Sequence, residues 1–144
     1  MPGKPKLKVL FLCTGNACRS QMTEGWARRL LGDRLEAFSA GTDPHGLDPR
    51  AVRVMAEEGV DISGQRSKHV DELRDVGFDY VVTVCDRARD ACPVFPGKAQ
   101  VLHASFEDPA AAQGTEEEVL AVFRRVRDEI RTFVERLPAG LEDN

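Results

Sequence analysis

The sequence lacks any apolar run long enough to cross a membrane, and it lacks a surplus of positive charge. Its formal net charge is −4, with 20 basic and 24 acidic side chains interspersed along the chain. Such a surface is poorly suited to nucleic acid or to an anionic membrane. The apolar stretch that follows Lys4, Lys6 and Lys8 is too short for a signal peptide. We therefore expect a cytoplasmic protein with neither nucleic acid nor membrane as a partner.

Repeats, low-complexity tracts and internal linkers are also missing. The length of 144 residues fits one domain, residues 1–144, with residues 138–144 expected to form a frayed tail. We expect a monomer. Cysteine is sparse, at four residues. In the cytoplasm such cysteines more often serve catalysis, redox cycling or metal binding than structural disulfides.

Strand and helix patterns alternate along the chain, which is typical of a parallel α/β sheet. The predicted strands are residues 7–12, 35–40, 80–84 and 101–105. The predicted helices are residues 20–31, a helix that begins at Asp48-Pro49 with Val52, Met55 and Ala56 inward, and residues 116–137. The predicted fold class is α/β, with three layers in which helices flank a four-stranded parallel sheet.

The first predicted strand ends in a Cys-x5-Arg pattern formed by Cys13 and Arg19. A loop that closes at a helix start points backbone N–H groups inward, and the helix dipole adds positive charge there. This field is expected to lower the pKa of the Cys13 thiol and so make it nucleophilic at neutral pH. Arg19 offers a bidentate fork for two oxygens of a tetrahedral anion.

The residues that follow Cys13 suit an oxyanion-binding loop. Gly15 and Asn16 tolerate a positive φ and allow a tight turn. Ser20 can donate a hydrogen bond to the thiolate while it starts the helix. Cys18 is interpreted as a packed loop residue, although it lies close enough to Cys13 for an off-pathway disulfide. The predicted loop comprises Thr14, Gly15, Asn16, Ala17, Cys18, Arg19 and Ser20.

Cys85 and Asp108 follow two later predicted strands. Because ligands bind at the carboxyl ends of strands in open parallel sheets, both side chains are expected to meet Cys13 in one pocket. Pro109 restricts Asp108 to an extended conformation. Asp108 can then act as a general acid that protonates a leaving oxygen. The alternative is that Asp108 only starts a turn.

Cys85 and Cys92 enclose a charged segment compatible with a helix. Seven helical steps of about 1.5 Å would separate the two Cα atoms by about 10.5 Å, whereas a disulfide needs roughly 4.4–6.8 Å. Oxidation of the pair would therefore force this segment to break and loop out, which makes it a candidate redox switch. Two inert core cysteines and a structural zinc site remain as alternatives.

The motifs together resemble a known family. The run from Cys13 to Trp26, Cys-Thr-Gly-Asn-Ala-Cys-Arg-Ser-Gln-Met-Thr-Glu-Gly-Trp, is similar to the signature of thioredoxin-coupled arsenate reductases, which share the fold of low-molecular-weight protein tyrosine phosphatases. The similarity continues through Ser39-Ala-Gly41, the Cys85/Cys92 pair, Asp108-Pro109 and the Arg-Val-Arg-Asp-Glu-Ile run at 125–130. Phosphatases of this fold usually have a proline where this chain has Gln21 and an aromatic residue where it has Ala110.

The resemblance implies a relay of three cysteines. Cys13 would attack arsenate while Asp108 protonates the leaving oxygen, and Cys85 would then attack Cys13 and expel arsenite. Cys92 would resolve the Cys13–Cys85 disulfide, and reduced thioredoxin would reduce the Cys85–Cys92 bridge. No tightly bound cofactor is implied, and phosphate or sulfate are the expected competing anions. The alternative functions are a phosphomonoesterase of the same fold and a thiol redox sensor without turnover.

Some relatives bind an alkali cation beside the loop. The residues that match this site are Asn16, Glu24 and Ser39, together with a carboxylate that follows a serine. In this chain Lys68 follows Ser67, so we expect neither potassium nor another metal. The ammonium group of a lysine is expected to occupy that position instead.

Overall fold

The computed structural model describes residues 6–86, residue 88 and residues 99–142, with side chains to residue 137. Its strands are β1 Leu7–Cys13, β2 Leu35–Gly41, β3 Tyr80–Thr83 and β4 Gln100–His103. Its longer helices in the described ranges are α1 Arg19–Leu31, α2 Pro49–Glu57 and α3 Glu116–Glu142. Two short 3-10 helices span Val70–Leu73 and Pro109–Ala111.

The four strands form one parallel sheet in the order β2-β1-β3-β4. β1 lies in the interior of the sheet, and its residues 9–13 are all buried, including neighbours that point to opposite faces. Both faces at the centre of the sheet are therefore covered. The predicted α/β class, with a four-stranded parallel sheet flanked by helices, is confirmed. All four strands end at the same edge, so the residues that follow them share one side of the molecule.

The helices differ from the sequence-based expectation in which residues they bury. The helical spacing of α1 predicts one apolar face of Met22, Trp26 and Leu30, but every residue from Ser20 to Ala27 is buried, and Leu30 is only half-buried. α2 buries Ala51, Val54 and Met55, whereas the expected Ala56 is exposed. The buried set of Ala51, Val54 and Met55 has the same spacing as the expected set of Val52, Met55 and Ala56, so the spacing alone allows either set to face inward. Packing of α2 against α3 selects the first set.

The ends of two elements also differ. β4 begins at Gln100 and ends at His103, so it starts one residue before the predicted range of 101–105 and ends two residues before the end of that range. α3 continues beyond Leu137 through Pro138 to Glu142. Its spacing predicts a buried stripe of Val119, Phe123, Val126, Ile130, Phe133 and Leu137. All of these are buried except the half-buried Phe133, and Leu120 and Val134 are buried as well. Within the described residues no helix combines the length and apolar character that a membrane span requires.

Candidate active site

The carboxyl edge of the sheet holds a cleft of about 830 Å³. Cys13 comes from the end of β1, Arg19 from the start of α1, and Cys85 from the residues after β3. Asp108 enters from the segment after β4. The structure thus brings together four of the five predicted catalytic residues. The fifth, Cys92, lies outside the described residues.

Hydrogen-bond donors surround the sulfur of Cys13. The backbone N–H of Asn16 donates to Cys13 Sγ over 3.1 Å, and the Ser20 hydroxyl lies 2.9 Å from it. Asn16 Nδ2 donates to Ser20 Oγ over 2.8 Å, and Asn16 Oδ1 accepts from the Lys68 backbone N–H. Because Asn16 fills an acceptor site of the Ser20 oxygen, the Ser20 hydroxyl hydrogen is free to point at the sulfur.

The pKa of Cys13 departs from its ordinary value in the direction opposite to the prediction. Burial of the thiol, whose residue is 2% exposed, raises its pKa. The hydrogen bonds from Ser20 and Asn16 and the charge of Arg19 act to lower it but do not outweigh the loss of water. The sequence indicates the polar loop, but it does not reveal how deeply the packing of β1 and α1 buries the sulfur.

The loop makes its turn with one residue of positive φ rather than two. Asn16 has a φ of 47° and is fully buried. Gly15 does not have a positive φ, so the loop does not use the conformational freedom of this glycine. A Cβ at Gly15 would lie 2.9 Å from the ring of His45, so a larger residue there would force this exposed ring to move. The His45 backbone also donates to the Gly15 carbonyl, which ties this residue to the loop.

Gln21 supports the loop from the first turn of α1. Its buried amide donates to the carbonyls of Asn16 and Arg66, over 3.0 and 3.2 Å. Gln65 Nε2 donates to the Gln21 side-chain oxygen over 2.7 Å. The residue that departs from the phosphatase pattern therefore joins the anion loop to the 65–66 segment, a role that the sequence alone did not indicate.

Arg19 connects the loop to the segment after β4. Its Nη1 donates to the Phe106 carbonyl over 3.2 Å, and its Nη2 lies 3.8 Å from Asp108 Oδ2. The other oxygen of Asp108 accepts from the Ala110 N–H and caps the Pro109–Ala111 helix. Asp108 therefore both starts a turn, as the alternative interpretation held, and faces the guanidinium in the cleft.

Cys85 is a free, buried thiol that faces the same loop. Its Sγ lies 3.4 Å from the Thr14 hydroxyl and accepts from the Ala88 N–H over 3.4 Å. Asp86 and Ala88 have helical backbone, in line with the predicted helical character after Cys85. Thr14 was predicted only as a loop member, and its contact with Cys85 links the two thiol-bearing segments.

Cys18 also lines the cleft, but its neighbour is a carboxylate. Its thiol donates to Asp48 Oδ2 over 3.5 Å, and Asp48 is also bonded to Arg50. Burial raises the pKa of Cys18, and the charge of Asp48 raises it further. For Asp48, burial acts to raise the pKa, but the Arg50 hydrogen bonds and charge outweigh it and hold the value below the ordinary range.

The residues of the expected cation site are bonded within the chain. Glu24 Oε1 accepts from the Ser39 hydroxyl over 2.5 Å, and Glu24 Oε2 pairs with Arg28. Lys68 donates through Nζ to the Arg66 carbonyl and lies near enough to Glu24 to feel its charge. The side-chain oxygens of Asn16, Glu24 and Ser39 already take part in hydrogen bonds or ion pairs within the chain, and Lys68 stands where the carboxylate ligand would be. This set of side chains therefore does not fit a potassium site. The absence of potassium stays a prediction, as does the ammonium in its place.

Residues 8–144 match the family described as low molecular weight phosphotyrosine protein phosphatase. The chain belongs to this family. Among its relatives in the family, the arsenate reductase of Halalkalibacterium halodurans is 51% identical over 134 residues, which cover 90% of this chain and 96% of the relative. The predicted membership in the arsenate reductase group is confirmed.

Solved structures of family members share the fold. An arsenate reductase in the phosphate binding state has a TM-score of 0.75 at 32% identity, and the match covers 94% of this chain and 98% of the other. The thioredoxin-dependent arsenate reductase of Corynebacterium glutamicum has a TM-score of 0.69 at 28% identity, covering 97% of this chain and 64% of the other.

Sequence reasoning passed over two groups at this edge of the family fold. His103 and Asp86 are hydrogen-bonded 3.0 Å apart beside Cys85. His45 and Asp48 also line the cleft. The signal for His103 was present, because it stands near the end of a predicted strand and so at the same edge as Cys85. Without a motif, however, its position alone indicated no role.

Proposed function

We propose that this phosphatase-family protein is an arsenate reductase that converts arsenate to arsenite with a relay of Cys13, Cys85 and Cys92. One observation carries the proposal. A second buried thiol, that of Cys85, lines the cleft of the Cys13 loop, and hydrolysis of a phosphate ester has no use for it. Close arsenate reductase relatives support the same activity.

The first step forms a bond between sulfur and arsenic. Arsenate binds in the loop, where Arg19 and the backbone N–H groups hold its oxygens. The Cys13 thiolate attacks arsenic, one As–O bond breaks, and Asp108 protonates the departing oxygen. Because burial raises the pKa of Cys13, only part of the protein holds the thiolate at neutral pH.

The second step reduces the arsenic. The Cys85 thiolate attacks Cys13 Sγ, so an S–S bond forms and the S–As bond breaks. The electron pair of the S–As bond stays on arsenic, which falls from As(V) to As(III) and leaves as arsenite. Two thiols are oxidised to the Cys13–Cys85 disulfide, and the electrons therefore balance. For this attack the segment that carries Cys85 must approach the loop that carries Cys13, and Thr14 of this loop already contacts Cys85 Sγ.

The last step returns the nucleophile. Cys92 attacks Cys85, the Cys13 thiolate leaves, and the Cys85–Cys92 disulfide accepts two electrons from reduced thioredoxin. The thioredoxin-dependent relative from Corynebacterium glutamicum supports this choice of reductant. We place the reaction in the cytoplasm, with a monomer as the working form and with no resident cofactor. Phosphate and sulfate are expected to compete with arsenate for the loop.

The test couples arsenate reduction to NADPH consumption through thioredoxin and thioredoxin reductase. The wild-type protein is expected to consume NADPH only when arsenate is added, and phosphate should raise the KM for arsenate. Cys13→Ser, Cys85→Ser and Cys92→Ser should each abolish multiple turnover. Cys13→Ser should also lose arsenite formation in a single turnover, whereas Cys92→Ser should retain it.

The fold supports phosphomonoesterase activity as a second candidate. Hydrolysis of p-nitrophenyl phosphate that needs Cys13 but survives loss of Cys85 and Cys92, with no arsenate-dependent NADPH consumption, would replace the reductase by a phosphatase. Disulfide formation without any anion-dependent turnover would instead indicate the thiol sensor. The exposed Ala110 lines the cleft where phosphatases tend to have an aromatic residue, which favours a small oxyanion over an aryl phosphate.

A further inference from the structure

His103 makes a hydrogen-bonded bridge across Cys85. It is the last residue of β4 and stands opposite Thr83, the last residue of β3. Its Nδ1 lies 2.7 Å from Thr83 Oγ1, and its Nε2 lies 3.0 Å from Asp86 Oδ1. Thr83 precedes Cys85 by two positions and Asp86 follows it directly. One imidazole therefore holds the chain on both sides of the second thiol.

The bridge extends from the core to the surface. Thr83 is fully buried, the His103 side chain is 25% exposed, and the Asp86 side chain is 67% exposed. The His103 bond ties this exposed carboxylate to the sheet. Because the imidazole of His103 is itself bonded to the buried Thr83 hydroxyl, the bond from His103 to Asp86 fixes the turn after Cys85 relative to the sheet.

This turn supplies a contact to the sulfur itself. Asp86 and Ala88 have helical backbone, and the Ala88 N–H points at Cys85 Sγ. A carboxylate in the first turn of a helical segment also favours that conformation. If Asp86 shifts, the Ala88 N–H shifts with it and no longer donates to Cys85 Sγ. This hydrogen bond favours the thiolate, which is the form of Cys85 that attacks.

The bridge survives a change in the protonation of His103. In the neutral ring that fits both contacts, the Thr83 hydroxyl donates to Nδ1 and Nε2–H donates to Asp86. In the imidazolium both nitrogens donate, and the Thr83 hydroxyl can turn to the Leu102 carbonyl, 3.3 Å away. Asp86 keeps its bond in both states, so the arrangement suits positioning.

We propose that His103 is a positioning residue for Cys85 in the attack on the arsenylated Cys13. The inference rests on the proposed function, because it concerns the second step of that relay. His103 does not line the cleft where the anion binds. Its removal is therefore expected to slow the formation of the Cys13–Cys85 disulfide and to leave arsenate binding unchanged.

The experiment uses a Cys92→Ser reference, in which the relay stops at the Cys13–Cys85 disulfide. Single-turnover formation of this disulfide is followed by mass spectrometry over a range of arsenate concentrations. His103→Ala in this background should lower the rate at saturating arsenate roughly tenfold, as expected for lost hydrogen bonds that orient a reacting group. The arsenate concentration for half-maximal rate should not change. His103→Gln, whose amide can still donate to Asp86, should recover part of the rate.

The chain offers a matched control in His69. Its Nδ1 lies 3.5 Å from Asp71 Oδ2, in another surface His–Asp pair that does not line the cleft. His69→Ala should leave the single-turnover rate unchanged. Asp86→Ala should slow the rate as His103→Ala does, and the double variant should be no slower than either single variant. Asp86 is exposed, so its replacement should not prevent folding. Asp86→Ala therefore tests the positioning role if His103→Ala does not fold.

The outcomes separate this inference from the proposed function. If the reference forms the disulfide with arsenate while His103→Ala and Asp86→Ala react at its rate, the positioning role is wrong and the relay stands. The same holds if His69→Ala is slowed equally. If the reference itself forms no arsenate-dependent Cys13–Cys85 disulfide, the relay is wrong and the positioning role is overturned with it.

Discussion

Cys13 and Cys18 belong to the same loop, and both are buried free thiols, with 2% and 4% of the residue exposed. Their neighbours differ. Ser20 and the Asn16 N–H lie against the sulfur of Cys13, whereas the sulfur of Cys18 donates to the Asp48 carboxylate. Burial raises the pKa of both thiols. At Cys13 the hydrogen bonds from Ser20 and Asn16 and the charge of Arg19 oppose that effect, and at Cys18 the charge of Asp48 adds to it.

This difference is what one short loop would need in order to hold the proposed nucleophile, Cys13, beside a packed cysteine, Cys18. Depth of burial does not separate the two thiols, and position in the loop does not explain their chemistry. The sign of the neighbouring charge distinguishes the two thiols, because hydrogen-bond donors and positive charge stabilise a thiolate whereas a nearby carboxylate destabilises it. The following variants either remove this contrast or make it sharper.

Replacement of Cys13 or of Cys18 by serine gives the largest expected difference in activity between the two positions. Cys13→Ser removes the nucleophile, so arsenite formation should fall by at least roughly 10³-fold. Cys18→Ser keeps a small side chain that can donate to Asp48, and its activity should stay within about twofold of the wild type. Arsenite formed in the thioredoxin-coupled assay measures both. Comparable losses in the two variants would show that Cys18 belongs to the relay.

Removal of one donor should shift the pH dependence of Cys13. Because its pKa is raised, the thiolate fraction and the rate of Cys13 alkylation should climb as pH increases above neutrality. Ser20→Ala takes away the hydroxyl that favours the thiolate, so the rising limb should move to higher pH. A shift of one pH unit corresponds to about tenfold slower alkylation at neutral pH. Iodoacetamide labelling, read by mass spectrometry at Cys13, gives the profile.

The control for this profile is Ser63→Ala. Ser63 is an exposed serine whose hydroxyl donates to Asp61, and it does not line the cleft. Its profile should overlay that of the wild type. An unchanged Cys13 profile in Ser20→Ala would mean that the hydroxyl contributes nothing to the thiolate, and that the loop N–H groups alone separate Cys13 from Cys18.

The sequence was sufficient to predict how the main site assembles. β1 and β3 carry recognisable apolar runs, and parallel strands deliver Cys13, Cys85 and Asp108 to one edge whatever the details of packing. The anion loop was predictable because the Cys-x5-Arg pattern meets a helix start. These features depend on local patterns and on topology, which the order of the elements largely determines.

Features that depend on tertiary packing were not predictable. The direction of the Cys13 pKa follows from burial beneath neighbouring elements, and the inward face of α2 follows from α3, where Arg127 donates to the Val54 carbonyl. The close approach of the His45 ring to Gly15 likewise involves a residue from another segment. In each case two or more sequence-compatible arrangements exist, and contacts between distant residues choose one.

Asp48→Asn should give the smallest and most specific effect, since it neutralises the charge that distinguishes Cys18 from Cys13. Asparagine caps helices as well as aspartate does, so α2 should form normally. The bond with Arg50 is weakened, and because Arg50 is partly exposed the loss at neutral pH should be below about 1 kcal/mol. The pKa of Cys18 should fall, and its alkylation at mildly alkaline pH should become several-fold faster.

The pH dependence of unfolding gives this last variant a signature. The folded-state pKa of Asp48 is lowered, so its contribution to stability is present above its unfolded pKa of about 3.9 and disappears as pH falls through the folded value. The folded-state pKa of Cys18 is raised, so stability is lost as pH rises above about 8.5, and the wild type should lose more than Asp48→Asn. The free-energy difference between the two proteins, measured by urea unfolding, should therefore be largest between these limits and shrink on both sides. A difference that stays constant across pH would mean that Asp48 acts on Cys18 through shape alone, and the contrast between the two thiols would need another cause.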